Sequence, residues 1–228
     1  NPRDSHVSNS RDPHVSNPRD SHVSNPRGLT TGPIPETPWC FETIFQRKAP
    51  TIIEIGFGMG HTLATMAAQN PQHNYIGIEV HQPGVACLAA HLHQHQIPNV
   101  RIVSIDACFV MAQAIADNSL QGIQIFFPDP WPKKRHHKRR LIQPEFVQLM
   151  CDKLCPGGFI HIATDWEPYA QHSLTVLSAC AQLQNTSPTH TFIARPESRP
   201  LTKFEARGQA LGHAIFDLFF TKIIQKNG

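Results

Sequence analysis

Residues 51–60 read TIIEIGFGMG. A β-branched run of strand length passes into alternating glycines, at the place where a following helix must begin. Gly56, Gly58 and Gly60 permit a tight turn there and let a ligand come close to the backbone. Outward from Thr51 the same grammar repeats. YIGIE, VRIVSI, GIQIFF and GGFIHIAT are short β-branched runs separated by stretches of helical length. Helices are expected over 60–69, 83–96, 107–116, 143–154 and 167–183. Alternation of this kind means βαβ units, an α/β fold with a mostly parallel sheet and helices on both faces. FDLFFTKII supplies a further edge strand near the C-terminus.

The 228 residues suffice for one such domain. Hydrophobic residues make up 40% of the chain, and no apolar stretch approaches the roughly 18 residues that span a bilayer. A charged-then-apolar leader pattern is missing from the N-terminus, so a cytoplasmic protein without membrane attachment is expected. The six cysteines form no CxxC pair and are read as reduced thiols in a packed core. Cys151 and Cys155, like His91, His93 and His95, are read as ordinary helix positions, and no metal is expected. Residues 1–27 repeat an octad: NPRDSHVS, NSRDPHVS, NPRDSHVS, NPR. One valine per octad cannot bury enough surface to offset ordering entropy. Residues 1–38 are therefore expected to be a disordered tail and linker, and 39–228 the folded domain.

In open α/β sheets the ligand sits beyond the carboxyl ends of the strands, so the strand ends carry the functional reading. Glu54 precedes the glycines. A dinucleotide fingerprint would need a further glycine where His61 stands. The E-x-G-x-G-x-G form instead resembles motif I of S-adenosylmethionine-dependent methyltransferases, in which the acid faces the cationic methionine end; a purely structural turn is the alternative. Glu79 closes the next strand, 25 residues on (79 − 54). A carboxylate there accepts from ribose hydroxyls in NAD enzymes and methyltransferases alike. Asp106 closes the third strand, placed either to accept from an adenine amino group or to cap a helix. The fourth strand runs into FFPDPWPKKRHHKRRL, residues 126–141. Asp129 lies between two prolines, where donor and acceptor would meet, with a proline-stiffened cap as the bland reading. Net charge is only +3, yet six of the 20 Lys and Arg residues fall within 133–140. Clustered charge of this kind suits a polyanion.

EIGFGMG, IGIEVHQPGV, FPDPWPKKRHHKRRL, ATDWEPYA and TKFEARG occur in this order, and together they look like the bacterial tRNA (guanine-N7-)-methyltransferase family over roughly residues 40–222. The resemblance implies a Rossmann-like class I methyltransferase fold with an antiparallel C-terminal edge strand, acting as a monomer or homodimer. It implies methylation of guanine 46 in the tRNA variable loop with S-adenosyl-L-methionine as cofactor. By resemblance, Glu54, Gly56, Gly58, Gly60, Glu79 and Asp106 bind the cofactor, and Asp129 is catalytic and touches it. Lys133, Asp165, Thr202, Lys203, Phe204 and Glu205 match substrate-binding positions. Arg135, His136, His137, Lys138, Arg139 and Arg140 match an RNA-contacting loop. Family members usually carry a basic segment ahead of the catalytic domain; here the near-neutral octads stand in its place.

The chemistry fits the residues. Guanine N7 carries an in-plane lone pair and no proton, so the reaction needs positioning rather than a general base. Ionised Asp165 and Glu205 are acceptor-only groups, suited to the donors on the Watson–Crick edge of guanine. Asp129 would balance the positive charge that moves onto the purine. Lys133 is assigned to phosphate, and Trp131 either stacks on a base or packs. Two other readings stay open: a related enzyme acting on an exocyclic amine or another RNA, and an RNA-binding module without catalysis.

Overall fold

The computed structural model describes residues 29–30, 38–202, 205–206, 212 and 214–224. The octad repeat lies outside the described residues, as do Lys203 and Phe204.

Strands β2 (Thr51–Ile55), β3 (Asn74–Ile78), β4 (Val100–Val103), β5 (Leu120–Phe126) and β6 (Leu154–Thr164) are the expected apolar runs. All pair in parallel. The C-terminal strand β8 (Phe216–Lys222) lies antiparallel to β6, and a short β7 (Leu183–Asn185) closes that edge. Leu29–Thr30, β1, pairs beside β4. The order is β1-β4-β3-β2-β5-β6-β8-β7. Strand order reverses between β2 and β5, which makes their carboxyl ends the switch point of the sheet.

Helices α2 (His61–Gln69), α3 (Gln82–Gln94), α4 (Ala107–Gln113), α5 (Pro144–Lys153) and α6 (Glu167–Ala179) fill the expected stretches, mostly a little shorter. Pro83, Pro144 and Pro168 occupy first-turn positions, where the missing N–H costs nothing. A one-turn α1 (Phe41–Phe45) precedes β2.

Period-two alternation splits the core between the two faces of the sheet. Ile53, Ile55, Ile123, Ile125, Ile160 and Ile162 pack on one side with α4, α5 and α6. Ile52, Tyr75, Ile102 and Phe126 pack on the other with α2 and α3. On this second side Arg199 lies across Phe126, its guanidinium carbon 5.6 Å from the ring centroid. It is fully buried, so Arg199 covers part of this face of the sheet beside Phe126 and Phe127.

Candidate active site

The glycine turn after β2 is built around a carboxylate. Glu79, the residue after β3, accepts from Gly58 N at 2.9 Å through Oε2, and from Val80 N and His81 N at 2.8 and 2.9 Å through Oε1. Glu79 thus ties the glycine turn to the start of α3. The approach is close enough that a Cβ at Gly84, in the first turn of α3, would run into the Gly58 carbonyl oxygen. Gly60 sits at φ 77° and ends the turn.

Glu54 points into the sheet interior rather than to solvent. It is buried and its Oε2 has no hydrogen-bond partner. Desolvation pushes its carboxyl up to about 8. A buried carboxyl with an unpartnered oxygen has the chemistry to receive a cationic or strongly donating group. Asp106 is exposed and caps α4, its Oδ1 accepting from Phe109 N at 2.9 Å. Val80 and Phe109, next to these two strand ends, expose apolar surface.

Beyond β5 the chain makes a tight turn. Phe127 and Trp131 adopt φ of 53° and 44°, on either side of Pro128-Asp129-Pro130. Phe127 N still donates to Ala163 O at 2.7 Å, so the turn starts from a fixed strand end. Asp129 is exposed at its tip. Trp131 packs: the Arg139 guanidinium lies 5.1 Å from its ring centroid and His136 meets it edge-on at 5.8 Å.

The basic stretch forms a 3₁₀ turn, Lys134–Arg139. Lys133, Lys134, Arg135, Lys138 and Arg139 are exposed, and His136 and His137 are partly so. Arg140 differs. It is buried, donates from Nε to Pro130 O at 2.9 Å, and lies over the Tyr169 ring. Gln143 reinforces the turn by donating to the carbonyls of His137 and Arg140 at 2.9 and 3.3 Å. Arg140 therefore anchors the loop while its neighbours face solvent.

Asp165 is exposed immediately after β6, followed by a partly open Trp166. Thr202 and Glu205 form a reciprocal cap: Glu205 N donates to Thr202 Oγ1 at 3.0 Å and Thr202 N to Glu205 Oε2 at 3.1 Å. The other Glu205 oxygen accepts from Arg199 Nη1 at 2.6 Å. Arg199 also clasps Asp217 through Nε and Nη2, each at 2.8 Å, and His161 Nε2 lies 2.7 Å from Asp217 Oδ1. All four side chains are buried. Ion pairing holds the Asp217 carboxyl below its usual range despite burial, while burial holds His161 below its usual value.

The structure has Glu54, Glu79 and Asp106 at or beside the ends of strands, as the sequence suggested, and adds a buried cluster of Arg199, Asp217 and His161 and the inward turn of Arg140, which the sequence did not suggest. A signal existed for two of them: Asp217 and His161 interrupt otherwise apolar strands in FDLFF and FIHIA. The histidines on α3 cluster without forming a metal centre. His91 lies 4.3 Å from His95 and 5.8 Å from His61 between ring centroids. Among the described residues, no group of three or more His, Cys, Asp or Glu is arranged to hold a metal ion. None of the described helices is long and apolar enough to cross a membrane.

Known proteins resemble this chain in sequence and in fold. The family described as "Putative methyltransferase" matches residues 48–218. A tRNA (guanine-N(7)-)-methyltransferase of Legionella pneumophila (strain Corby) is 59% identical over 187 residues, covering 82% of this chain and 83% of that protein. Among solved structures, the 16S rRNA methyltransferase KamB superposes with a TM-score of 0.60 at 14% identity, over 81% of this chain and 93% of that one. A SAM-dependent O-methyltransferase from Thermotoga maritima gives 0.51 at 15% identity, over 82% and 65%. At such identities these two likenesses speak to the fold alone: a class I methyltransferase sheet.

Proposed function

The chain belongs to the tRNA (guanine-N(7)-)-methyltransferase family, and on that premise we propose that it transfers a methyl group from S-adenosylmethionine to N7 of guanine in tRNA, at position 46 of the variable loop. The observation that carries the reading is the pair of acids at the switch point. Glu54, next to last in β2, is buried with its Oε2 unpartnered, and Asp129 follows β5 exposed between two prolines.

The residues present fit the cofactor. Glu54 suits its ammonium group, Glu79 its ribose hydroxyls and Asp106 its adenine amino group, with Val80 and Phe109 as apolar surface for the base. Bound there, S-adenosylmethionine supplies an electrophilic methyl group on a positively charged sulfur. The protein's own work is positional. Asp165 accepts from the donors on the guanine edge. The exposed lysines and arginines of 133–139 meet phosphates and hold the RNA in register. The target base has to leave its stack to be reached, and Asp129 then faces a purine that becomes cationic as it is methylated. A carboxylate already fixed by Pro128 and Pro130 favours that charge without reorganising.

Incubating the protein with labelled S-adenosylmethionine and unmodified tRNA, then identifying the labelled nucleoside, tests this. 7-Methylguanosine that disappears when guanine 46 is replaced by adenine is the expected result. A different nucleoside, or label at another position, overturns the assignment.

A further inference from the structure

Glu54 and Gln124 are register partners on β2 and β5, and Gln124 and His161 are register partners on β5 and β6. Side chains of paired residues on neighbouring strands emerge on the same face. The three therefore form one row across the sheet, on the side that carries Ile52 and Phe126. The edge-on contact of His161 with Phe126, 5.0 Å between centroids, places the end of the row on that side.

All three are buried, and each keeps one polar atom without a hydrogen-bond partner: Glu54 Oε2, Gln124 Oε1 and His161 Nδ1. Buried polar atoms are nearly always paired, so three in successive positions call for an explanation. Beyond His161 the bonding is complete. Asp217 binds His161 and Arg199, Arg199 binds Glu205, and Glu205 caps Thr202. The row thus begins at the proposed cofactor carboxylate and ends at Thr202 and Glu205, positions that match the family's substrate-binding segment by resemblance.

Its chemistry has a direction. Asp217 accepts, so His161 Nε2 carries the proton and the neutral ring offers Nδ1 as an acceptor. Gln124 offers a donor and an acceptor and can serve either neighbour. Glu54 can donate to Gln124 only while it holds a proton. In the structure Glu54 Oε2 and Gln124 Oε1 are unbonded; a cationic amine that ion-pairs with Glu54 leaves an acceptor-only carboxylate, which favours Gln124 turning its NH2 toward it and so changes what Gln124 can offer His161.

We propose that Gln124 and Arg199 are positioning residues in a buried polar row that couples an amine bound at Glu54 to the pose of Thr202 and Glu205. This rests on the functional reading above. Neither residue touches a substrate; both act through others.

The test measures the dissociation constant of unmodified tRNA with and without saturating S-adenosylhomocysteine, an unreactive probe that keeps the amine. Coupling between two sites is reciprocal and commonly reaches about 5- to 150-fold. The wild-type protein is expected to bind tRNA at least about fivefold differently in the two conditions. Gln124→Met keeps the volume and removes the amide. It should bring the ratio within about twofold of unity, with thermal stability unchanged or raised because an unsatisfied polar group is gone. Arg199→Lys keeps the charge without the fork. It should raise KM for tRNA about tenfold while S-adenosylhomocysteine affinity stays within about twofold, a split that general destabilisation does not produce. A wild-type ratio of one, a Gln124→Met ratio like wild type, or an unchanged KM in Arg199→Lys overturns the row. Should Arg199→Lys fail to fold, the Gln124→Met ratio decides alone. Absence of methyl transfer to tRNA by the wild-type protein sinks the functional reading, whereas a flat ratio in an active protein sinks only the row.

Discussion

The Arg140 guanidinium carbon lies 5.0 Å from the centroid of the Tyr169 ring, joining the basic loop to the first turn of α6. Its Nε holds the carbonyl of Pro130, the residue after Asp129. One buried side chain therefore braces both the loop proposed to meet RNA and the turn that carries the acid. Tyr169 is fixed in turn, its hydroxyl accepting from Ile142 N at 3.3 Å.

Arg140→Lys loses the planar stacking and the forked donor. A buried cation–π contact is worth about 2 kcal/mol and a charge-assisted hydrogen bond about 1.5–3 kcal/mol. The variant should lose about 1–3 kcal/mol in denaturant unfolding, while the salt dependence of tRNA binding stays as in wild type. A flattened salt slope would instead place Arg140 on the RNA.

Its exposed neighbours should behave in the opposite way. Alanine at Arg135, Lys138 and Arg139 together is expected to leave cofactor affinity unchanged and to cost no more stability than the exposed Arg139–Trp131 contact, about 0.5–1 kcal/mol. The slope of log K for tRNA against log salt should flatten by about 2–3 units, close to one for each phosphate that is no longer neutralised. A slope like that of wild type would make this run an ordinary solvated face.

Asp129→Asn is nearly isosteric and removes the counter-charge. At an effective dielectric of about 20, a unit charge 4 Å away is worth roughly 4 kcal/mol, an upper bound because only part of the charge develops. A fall in kcat of about 10- to 1000-fold is expected, each 1.36 kcal/mol being tenfold, with tRNA affinity little changed. Wild-type turnover in the folded variant would reduce Asp129 to a turn residue.

Glu54 ties cofactor binding to pH. With its carboxyl raised from 4.5 to about 8 by burial, the folded protein holds a proton there that the unfolded chain gives up above about 4.5. The stability from this group is complete below about 4.5 and is lost as pH rises through about 8, so Glu54→Gln should flatten that decline. An amine that ion-pairs with Glu54 must displace the proton. S-adenosylmethionine affinity should therefore rise about tenfold per unit between roughly pH 6 and 7.5. Calorimetry in two buffers of different ionisation enthalpy reads the released proton directly, and Glu54→Gln should release none. Binding to wild type without proton release would mean that Glu54 is ionised beforehand.

The parallel sheet was legible because its strands are β-branched runs of ordinary length, each followed by a stretch long enough for a helix. Glu54, Glu79 and Asp106 were legible because the position of an acid at a strand end is itself a chemical statement. β7 and α1 were not, since three and five residues are too few to display a period. Arg140 was hidden by its company: nothing local separates one arginine of KRR from another, and Tyr169 is supplied by a distant helix. The buried cluster was hidden by distance along the chain. His161 and Asp217 are 56 positions apart, and only the antiparallel register of β6 and β8 brings them together. The expected guanine contact at Glu205 meets a side chain whose two oxygens already serve Arg199 and Thr202.

The meeting of Gly84 with the Gly58 carbonyl bears on how this protein can change by mutation. Every amino acid one base change away from glycine brings a Cβ, and here any Cβ strikes backbone rather than a yielding side chain. Position 84 thus has no neutral neighbour in sequence space. A lineage could alter it only after the glycine turn had already shifted, which would disturb the very backbone N–H that Glu79 holds. Turn and helix are committed to drift as one unit or not at all.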